Sequence, residues 1–309
     1  MTWMLNVYFN TTKTPKVRSY TVPRAGAWVN IEAPTTVELE YIAKKLKLDI
    51  DLLNDGIDPN ESPRIERDVN SIYIYTRYCL PESEKQTTSP LLLILTPNNL
   101  VTIARRPYND HKPIIKKAGS TQNQAQLALE ILTQINNGYS KRINNVSKRI
   151  WQIRSQLDKS HIDNKDFISF IDLEEDLSDF LLALEPMNTS LNTLLSAKYF
   201  RAYEEDRDDF EDLELTTKEL IGLANSRLKT IQNIREAYST ITANNLNKVF
   251  KLTTSITILM SIFTIITGVY SMNIALPLAH EGYVFWVLLG FSALIIGVLA
   301  TIFRRKKWL

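Results

Sequence analysis

Small and hydroxyl-bearing side chains recur on one face of a long segment that carries no charge, and the same face continues into the residues just before it. Between Lys251 and Glu281 the sequence contains no Asp, Glu, Lys or Arg. At the helical spacing of three or four residues, one face collects side chains that, apart from one Phe, are small or polar: Asn247, Phe250, Thr254, Thr257, Ser261, Thr264 and Gly268. We call these residues the polar stripe. Repeated oxygen atoms of this kind can hydrogen-bond to water around a passing ion.

Two interpretations of the polar stripe compete. Small residues and hydroxyls are enriched where transmembrane helices pack closely, and they also suit the wall of a hydrated path. The same heptad continues upstream through Thr240 and Glu236, which favours a path wall. Glu236 from each copy would then form an inner ring that concentrates cations. The alternative is that Glu236 is simply a solvent-exposed residue of the helix. Because two membrane helices cannot enclose a pore, such a path requires several copies of the chain.

The elements that must carry the stripe are two apolar segments near the C-terminus. Leu252–Tyr270 and Tyr283–Phe303 are each long enough to cross the hydrocarbon core of a bilayer, about 30 Å. Lys248 and Lys251 precede the first segment, and the basic run 304–307 follows the second. The positive-inside rule therefore predicts a multi-pass protein of the plasma (inner) membrane with both termini in the cytosol.

The residues before the membrane segments read as a cytosolic α+β region followed by helices. Residues 1–105 contain β-rich runs at 5–9, 17–22, 28–31, 71–78, 91–95 and 100–104, and a short helix capped by Thr36. Long helical patterns follow from about Gln122 to Leu184, and a further helix is predicted from about Glu185. A helix of over fifty residues, without Pro, is predicted from Leu215 to the end of the first apolar segment.

Composition argues against several classes of function. The net charge is +2, so nothing global indicates a nucleic-acid partner. The single cysteine, Cys79, allows no intrachain disulfide, and the three histidines lack partners at zinc-ligand spacing. No Walker A loop, nucleophile elbow or HExxH motif is present, so we expect no enzyme and no covalently bound cofactor.

Several short stretches resemble the CorA family of magnesium and divalent-cation channels. Tyr270-Ser271-Met272-Asn273 stands where that family has Tyr-Gly-Met-Asn, and "RRKKWL" at the C-terminus resembles the family's basic run before Trp-Leu. "WVNIEAP" from Trp28 and "PRIE" from Pro63 are similar to parts of the family's N-terminal domain. The resemblance extends over essentially the whole chain.

The resemblance implies a funnel-shaped homopentamer embedded in the lipid bilayer. Each subunit would have a cytosolic αβα sandwich, a very long stalk helix that lines the pore, and an outer second membrane helix. The expected regions are an αβα domain (1–120), a cytosolic helical region (121–214), the stalk and first transmembrane helix (215–271), an outer loop (272–282), the second transmembrane helix (283–303) and a basic cytosolic end (304–309).

The tripeptide Ser271-Met272-Asn273 would form the selectivity motif at the outer mouth. A ring of Asn273 amide oxygens could accept hydrogen bonds from hydrated Mg²⁺, which gives up its water reluctantly. At position 271 the chain has Ser where the family has Gly. The serine adds a Cβ and a hydroxyl at the mouth. The ion therefore stays open: Mg²⁺ uptake, transport of Zn²⁺, Co²⁺ or Ni²⁺ that could be proton-coupled, or a non-conducting scaffold or sensor of the same fold.

Regulatory positions are also implied by the resemblance. In the family, cytosolic divalent cations bridge neighbouring subunits and hold the channel closed, and the matching carboxylates here are Asp55 and Asp212. The alternative interpretation of Asp212 is that it belongs to a solvent-exposed acidic surface with no bound metal. Glu281, the carboxylate of the outer loop, is a further site candidate.

Overall fold

The fold was determined as a computed structural model. It describes residues 5–12, 14–82, 84, 86–108, 111–157, 164–196, 207–273 and 281–308. Two compact units are present, Met1–Ile231 and Gln232–Leu309.

The first unit is built on one seven-stranded sheet with the order β2-β1-β3-β7-β6-β5-β4. Strands β3 and β7 pair in parallel, and the other neighbours pair antiparallel. The strands are β1 (Leu5–Thr11), β2 (Thr14–Tyr20), β3 (Trp28–Glu32), β4 (Arg64–Asp68), β5 (Ser71–Cys79), β6 (Thr88–Leu95) and β7 (Leu100–Ala104).

The predicted β-rich runs all coincide with strands of this sheet. Strands β6 and β7 are buried along their whole length, as expected for apolar runs covered on both faces. Strand β4 is missing from the sequence-based prediction because its sequence, RIERD, is mostly charged. It lies at an edge of the sheet, where charged side chains are tolerated and discourage pairing with other chains.

Two short helices, α1 (Thr36–Leu46) and α2 (Ile50–Asp55), cover one face of the sheet. The cap of α1 is Thr35 rather than the predicted Thr36: the Thr35 hydroxyl accepts from the Glu38 backbone, and Glu38 accepts from the Thr35 backbone. This reciprocal capping box satisfies two backbone donors, which explains the start of the helix one residue earlier. The core shared with the sheet includes Val29, Ile31, Leu39, Ile42, Leu53, Leu92, Ile94, Val101 and Ile103.

The other face is covered by α4 (Gln124–Leu157) and α5 (Asn164–Leu195), which follow the short α3 (His111–Ala118). The Tyr139 hydroxyl donates to the Arg77 carbonyl of β5 at 3.1 Å. Helix α5 continues through Pro186, so the prediction of a new helix from Glu185 is wrong. Cys79 lies at the end of β5, where burial raises the pKa of its thiol.

Helices on both faces make this region the αβα sandwich expected from the resemblance. The "WVNIEAP" stretch contributes to this sandwich, because its first five residues form β3, the neighbour of the central strand β7. The Trp28 indole donates to the Thr102 hydroxyl at 2.9 Å, and that hydroxyl donates to the Asn30 side-chain oxygen at 2.6 Å. These buried bonds tie β3 to its parallel neighbour β7.

The longest helix, α6, runs from Arg207 to Tyr270 and contains 64 residues. The prediction of a helix of over fifty residues is confirmed, although the helix begins eight residues before Leu215. Helix α7 (Val284–Arg305) follows in the second unit. Both helices contain stretches long and apolar enough to cross a membrane, and only 6% of each stretch is buried inside the protein.

Gly56, directly after α2, offers a sharp test of the packing. Its φ is −61°, which any residue adopts, so the requirement is for space. A Cβ there would lie 2.6 Å from Leu92 Cδ2 and 2.7 Å from Leu92 Cβ, in the core. We expect Gly56→Ala to destabilise the first unit by about 1–3 kcal/mol, the usual cost of overpacking. The thermal unfolding midpoint, followed by circular dichroism, measures this loss.

Gly222→Ala is the matched control for Gly56→Ala. Gly222 lies in α6, and a Cβ there would meet nothing within 4 Å. Because Ala favours a helix over Gly by about 1 kcal/mol, this variant should unfold at the same or a slightly higher temperature. Equal midpoints for the two variants would contradict the tight packing at Leu92.

Candidate functional site

The polar stripe lies on the membrane-spanning part of α6 and the turns before it, and its side chains are exposed in the single chain. Exposure extends upstream to Glu236. A different face of the same helix is shielded: Ser255 is buried, and Leu259, Ile262 and Ile266 are half-buried. At roughly 100° per residue, this shielded face lies on the opposite side of the helix from the stripe.

Helix α7 lies against a face of α6 other than the stripe. A cavity of about 220 Å³ separates the two helices near the C-terminal end of α6. From α6 it is lined by Phe263, Ile266, Thr267, Tyr270 and Ser271, and from α7 by Phe285, Leu288, Leu289 and Ser292. None of the stripe residues is among them, so the stripe is available to water or to other copies of the chain.

Three of the stripe hydroxyls donate their hydrogen atoms to carbonyl groups of their own helix. The Thr257 hydroxyl donates to the Thr253 carbonyl at 2.9 Å, that of Ser261 to Thr257 at 2.8 Å, and that of Thr264 to Met260 at 3.0 Å. Each hydroxyl hydrogen is thus engaged with a carbonyl one turn back. The oxygen lone pairs remain directed outward, so this surface accepts hydrogen bonds rather than donating them.

The tripeptide Ser271-Met272-Asn273 follows directly after the last residue of α6. The backbone N–H groups of Ser271 and Met272 donate to carbonyls of the final helical turn, at 3.1 Å to Thr267 and 3.3 Å to Val269. The Ser271 hydroxyl donates to the Gly268 carbonyl at 2.9 Å, and Asn273 is exposed.

Ser271, where the resemblance leads us to expect Gly, shows no backbone strain. The non-glycine residues described with positive φ are Ala33, Lys47, Val69 and Lys307, and Ser271 is not among them. A left-handed conformation is therefore not what this position demands here. What Ser271 changes is the local surface, by a Cβ and a hydroxyl beside Asn273.

The two proposed regulatory carboxylates lie in the first unit, in different surroundings. Asp55, the last residue of α2, forms an ion pair with Arg64, Oδ2 to Nη2, at 2.9 Å. Asp212 is exposed on α6. Among the described residues no group of three or more His, Cys, Asp or Glu side chains could hold a metal ion within one chain. A bridge that uses either carboxylate would therefore need ligands from a neighbouring copy.

Glu281 lies three residues before the first residue of α7, Val284. Its side chain is exposed, and its backbone carbonyl accepts from the Val284 amide at 3.1 Å. Sequence reasoning missed Arg64, the ion-pair partner of Asp55, although it lies within the quoted "PRIE". No spacing rule connects positions 55 and 64, because a turn and the start of β4 bring them together.

Comparison with known proteins decides the family. The family model described as "CorA-like Mg2+ transporter protein" matches residues 24–305. The chain belongs to this family. The resemblance identified from the sequence is thereby confirmed, and the protein is assigned to a family of membrane transporters rather than to an enzyme class.

One curated relative aligns along most of the chain, and a second aligns along less than half of it. The "Cobalt/magnesium transport protein CorA" of Methanocaldococcus jannaschii is 27% identical over 294 residues, which is 91% of each protein. The "Putative metal ion transporter YfjQ" of Bacillus subtilis is 29% identical over 139 residues, 44% of this chain and 43% of that protein.

Two solved structures share the fold of the whole chain. The complete structure of the CorA magnesium transporter from Methanocaldococcus jannaschii superposes with a TM-score of 0.86 at 23% identity, covering 100% of both chains. The structure of full-length CmaX gives a TM-score of 0.78 at 14% identity, covering 100% of this chain and 99% of that one. These likenesses confirm the α/β domain, the long helix and the second apolar helix as one known fold.

Proposed function

We propose that this protein is a divalent metal-cation transporter, most simply a Mg²⁺ uptake channel formed by a homopentamer in the plasma (inner) membrane. The observation that carries the proposal is the exposed, hydrogen-bond-accepting stripe that leads to Asn273. In the homopentamer, the stripe of each subunit faces a shared aqueous axis. Family membership supports this assignment, and the CorA relative described as a cobalt/magnesium transport protein points to the same class of ion.

The chemistry of the stripe suits a hydrated divalent cation. Mg²⁺ holds its water shell tightly, and the water hydrogens of that shell point outward as donors. A wall of hydroxyl oxygens whose own hydrogens are engaged with helix carbonyls receives these donors without removing water. The wall carries no carboxylate between Lys251 and Glu281. Binding along it is therefore weak enough for release, as conduction requires.

Asn273 acts at the outer mouth. A ring of amide oxygens, one from each subunit, accepts hydrogen bonds from a hydrated ion, whereas a ring of carboxylates would hold a divalent ion and slow its release. Tyr270, Ser271 and Met272 position this ring at the end of the pore helix. Inward movement needs no nucleotide, because the membrane potential supplies about 2.3 kcal/mol per charge per 100 mV.

Cytosolic cations regulate the channel through carboxylates of the soluble region. Asp55 and Asp212 face one another across the interface between neighbouring subunits. Their like charges push the subunits apart until a divalent cation binds between the carboxylates and bridges them. Glu236 forms an inner ring that raises the local cation concentration. Glu281 attracts cations toward the outer mouth. Both termini lie in the cytosol, in keeping with the basic residues that flank the membrane segments.

A second candidate ion class is favoured by one specific feature. Ser271 adds a hydroxyl where the family has Gly, which reshapes the mouth and supports Zn²⁺, Co²⁺ or Ni²⁺ as the transported ion. Purified protein in liposomes that contain a Mg²⁺-sensitive dye tests the Mg²⁺ assignment, and parallel assays with dyes for Zn²⁺, Co²⁺ and Ni²⁺ test the alternative. An absence of flux for every ion would contradict both and leave a non-conducting scaffold or sensor.

Ser271→Gly separates the two ion classes further. Because Ser271 has no left-handed backbone conformation, Gly relieves no strain and removes only the Cβ and hydroxyl. We therefore expect Mg²⁺ flux into dye-loaded liposomes to stay the same or to rise. A lower Mg²⁺ flux, at unchanged protein incorporation, would mean that the Ser271 hydroxyl serves the protein's own ion.

A further inference from the structure

One guanidinium in the first unit is enclosed by carboxylates from three directions. Arg64 Nη2 donates to Asp55 Oδ2 at 2.9 Å, and Arg64 Nε donates to Glu66 Oε1 at 2.6 Å. Arg64 Nη1 donates to Glu61 Oε1. We call these residues the Arg64 cluster. Three carboxylates share a single cation, so the cluster keeps an excess of negative charge.

The position of the guanidinium is fixed by an aromatic ring beneath it. Arg64 lies 4.0 Å from the centroid of the Tyr75 ring, and the Tyr75 hydroxyl donates to the Leu52 carbonyl at 3.0 Å. Leu52 belongs to α2, the helix that ends at Asp55. The ring therefore aligns Arg64 with the end of α2, and the ion pair with Asp55 follows from this alignment.

The Arg64 cluster is open to water. The side chain of Asp55 is 47% exposed and that of Arg64 is 31% exposed. Pro63, Arg64 and Ile65 border a groove of about 510 Å³, whose other wall includes Leu182 and Glu185 of α5. Exposed ion pairs are weak and exchange readily with ions from solution. A cation that approaches Asp55 therefore competes with Arg64 instead of meeting a free carboxylate.

We infer that Arg64 is a built-in competitor of divalent cations at Asp55 and thereby sets the concentration at which they act. This inference rests on the proposed regulatory part of Asp55. When divalent cations are scarce, the guanidinium neutralises Asp55. When they are plentiful, a cation displaces Nη2 from Asp55 Oδ2, while Arg64 keeps its bonds to Glu61 and Glu66. Arg64 is thus a positioning residue that lowers the apparent affinity for the regulatory cation.

Mn²⁺ binding to the full-length protein in detergent tests this competition, with free Mn²⁺ measured by electron paramagnetic resonance. Arg64→Met should raise the apparent Mn²⁺ affinity by roughly fivefold, the upper range for an exposed ion pair. Arg67→Met is the matched control, because Arg67 is an exposed residue of the same strand and the change in charge is identical. It should leave the affinity unchanged. A merely structural contribution of Arg64 would lower the affinity instead.

The Asp55→Asn variant tests whether the raised Mn²⁺ affinity of Arg64→Met depends on the Asp55 carboxylate. The affinity gained in Arg64→Met should largely disappear in the Arg64→Met/Asp55→Asn double variant. An unchanged or lower affinity in Arg64→Met, or a gain that persists without the Asp55 carboxylate, would overturn the inference. If Arg64→Met does not fold, Arg64→Lys replaces it. Lysine cannot bond all three carboxylates, so we expect a smaller increase in the apparent Mn²⁺ affinity. No increase in Arg64→Lys would also overturn the inference.

Failure of the proposed regulation gives a different result. In that case Asp55→Asn alone would leave both Mn²⁺ binding and the closure of the channel by internal Mg²⁺ unchanged. If Asp55→Asn impairs closure while Arg64→Met behaves like Arg67→Met, only the competition by Arg64 is wrong.

Discussion

Asn273→Ala is expected to reduce cation flux into liposomes to the level of protein-free vesicles, while the oligomer remains intact. The side chain is exposed beyond the last turn of α6, and the backbone bonds of that turn come from Ser271 and Met272. Removing the amide therefore costs the fold little. In the proposed homopentamer it removes from every subunit at once the amide oxygen that receives the hydrated ion at the outer mouth.

Two further variants define what Asn273 contributes. Asn245→Ala makes the same change at an exposed position of α6 that lies on the side away from the stripe, and flux should be unaffected. Asn273→Asp retains an oxygen but adds a charge, so we expect slower flux and tighter cation binding. Native mass spectrometry or cross-linking reports the oligomer. Full flux in Asn273→Ala would remove this residue from selectivity.

Thr264→Leu is expected to lower flux by at least about tenfold, because apolar rings in a narrow pore expel water and close it to ions. Thr264 is an exposed stripe residue whose hydroxyl donates one turn back, to the Met260 carbonyl at 3.0 Å. Thr301 on α7 is its matched control. It is also exposed, and its hydroxyl donates to the Gly297 carbonyl at 2.7 Å. Thr301→Leu should conduct normally.

The same pair of variants distinguishes a wet stripe from a dry helix interface. If the stripe packed tightly against another copy, the larger leucine at position 264 would disrupt that contact. Cross-linking would then show dissociated subunits together with the loss of flux. A blocked but fully assembled Thr264→Leu protein supports a water-filled path, and normal flux in an assembled Thr264→Leu protein would contradict it.

Regular patterns made most of the architecture predictable. Apolar runs of β6 and β7, bounded by turns, mark strands wherever both faces of a sheet are buried. Two uncharged segments of bilayer length predict membrane helices without tertiary information. The errors occur where local rules compete. Thr35 and Thr36 are chemically equivalent as caps until Glu38 completes the capping box, and Pro186 ends a helix in most sequences but lies within α5.

The candidate site could be proposed from the sequence only where its side chains repeat along a helix. The spacing of Thr257, Ser261 and Thr264 reveals a face, but the direction of each hydroxyl hydrogen depends on the local backbone. The partner of Asp55 was not predictable at all, because Arg64 reaches it across a turn. Likewise, no motif states whether residue 271 needs positive φ, which is a property of the folded turn.

The half-buried Cys79 makes this protein a convenient subject for chemical labelling. It is the single cysteine of the sequence, and the raised pKa of its thiol suppresses the thiolate that reacts with maleimides and methanethiosulfonates. A new cysteine at position 257, 261 or 264 could be introduced without first deleting a native one. Its rate of modification by a charged, water-borne reagent, applied from either side of the membrane, would map the wetted positions one by one.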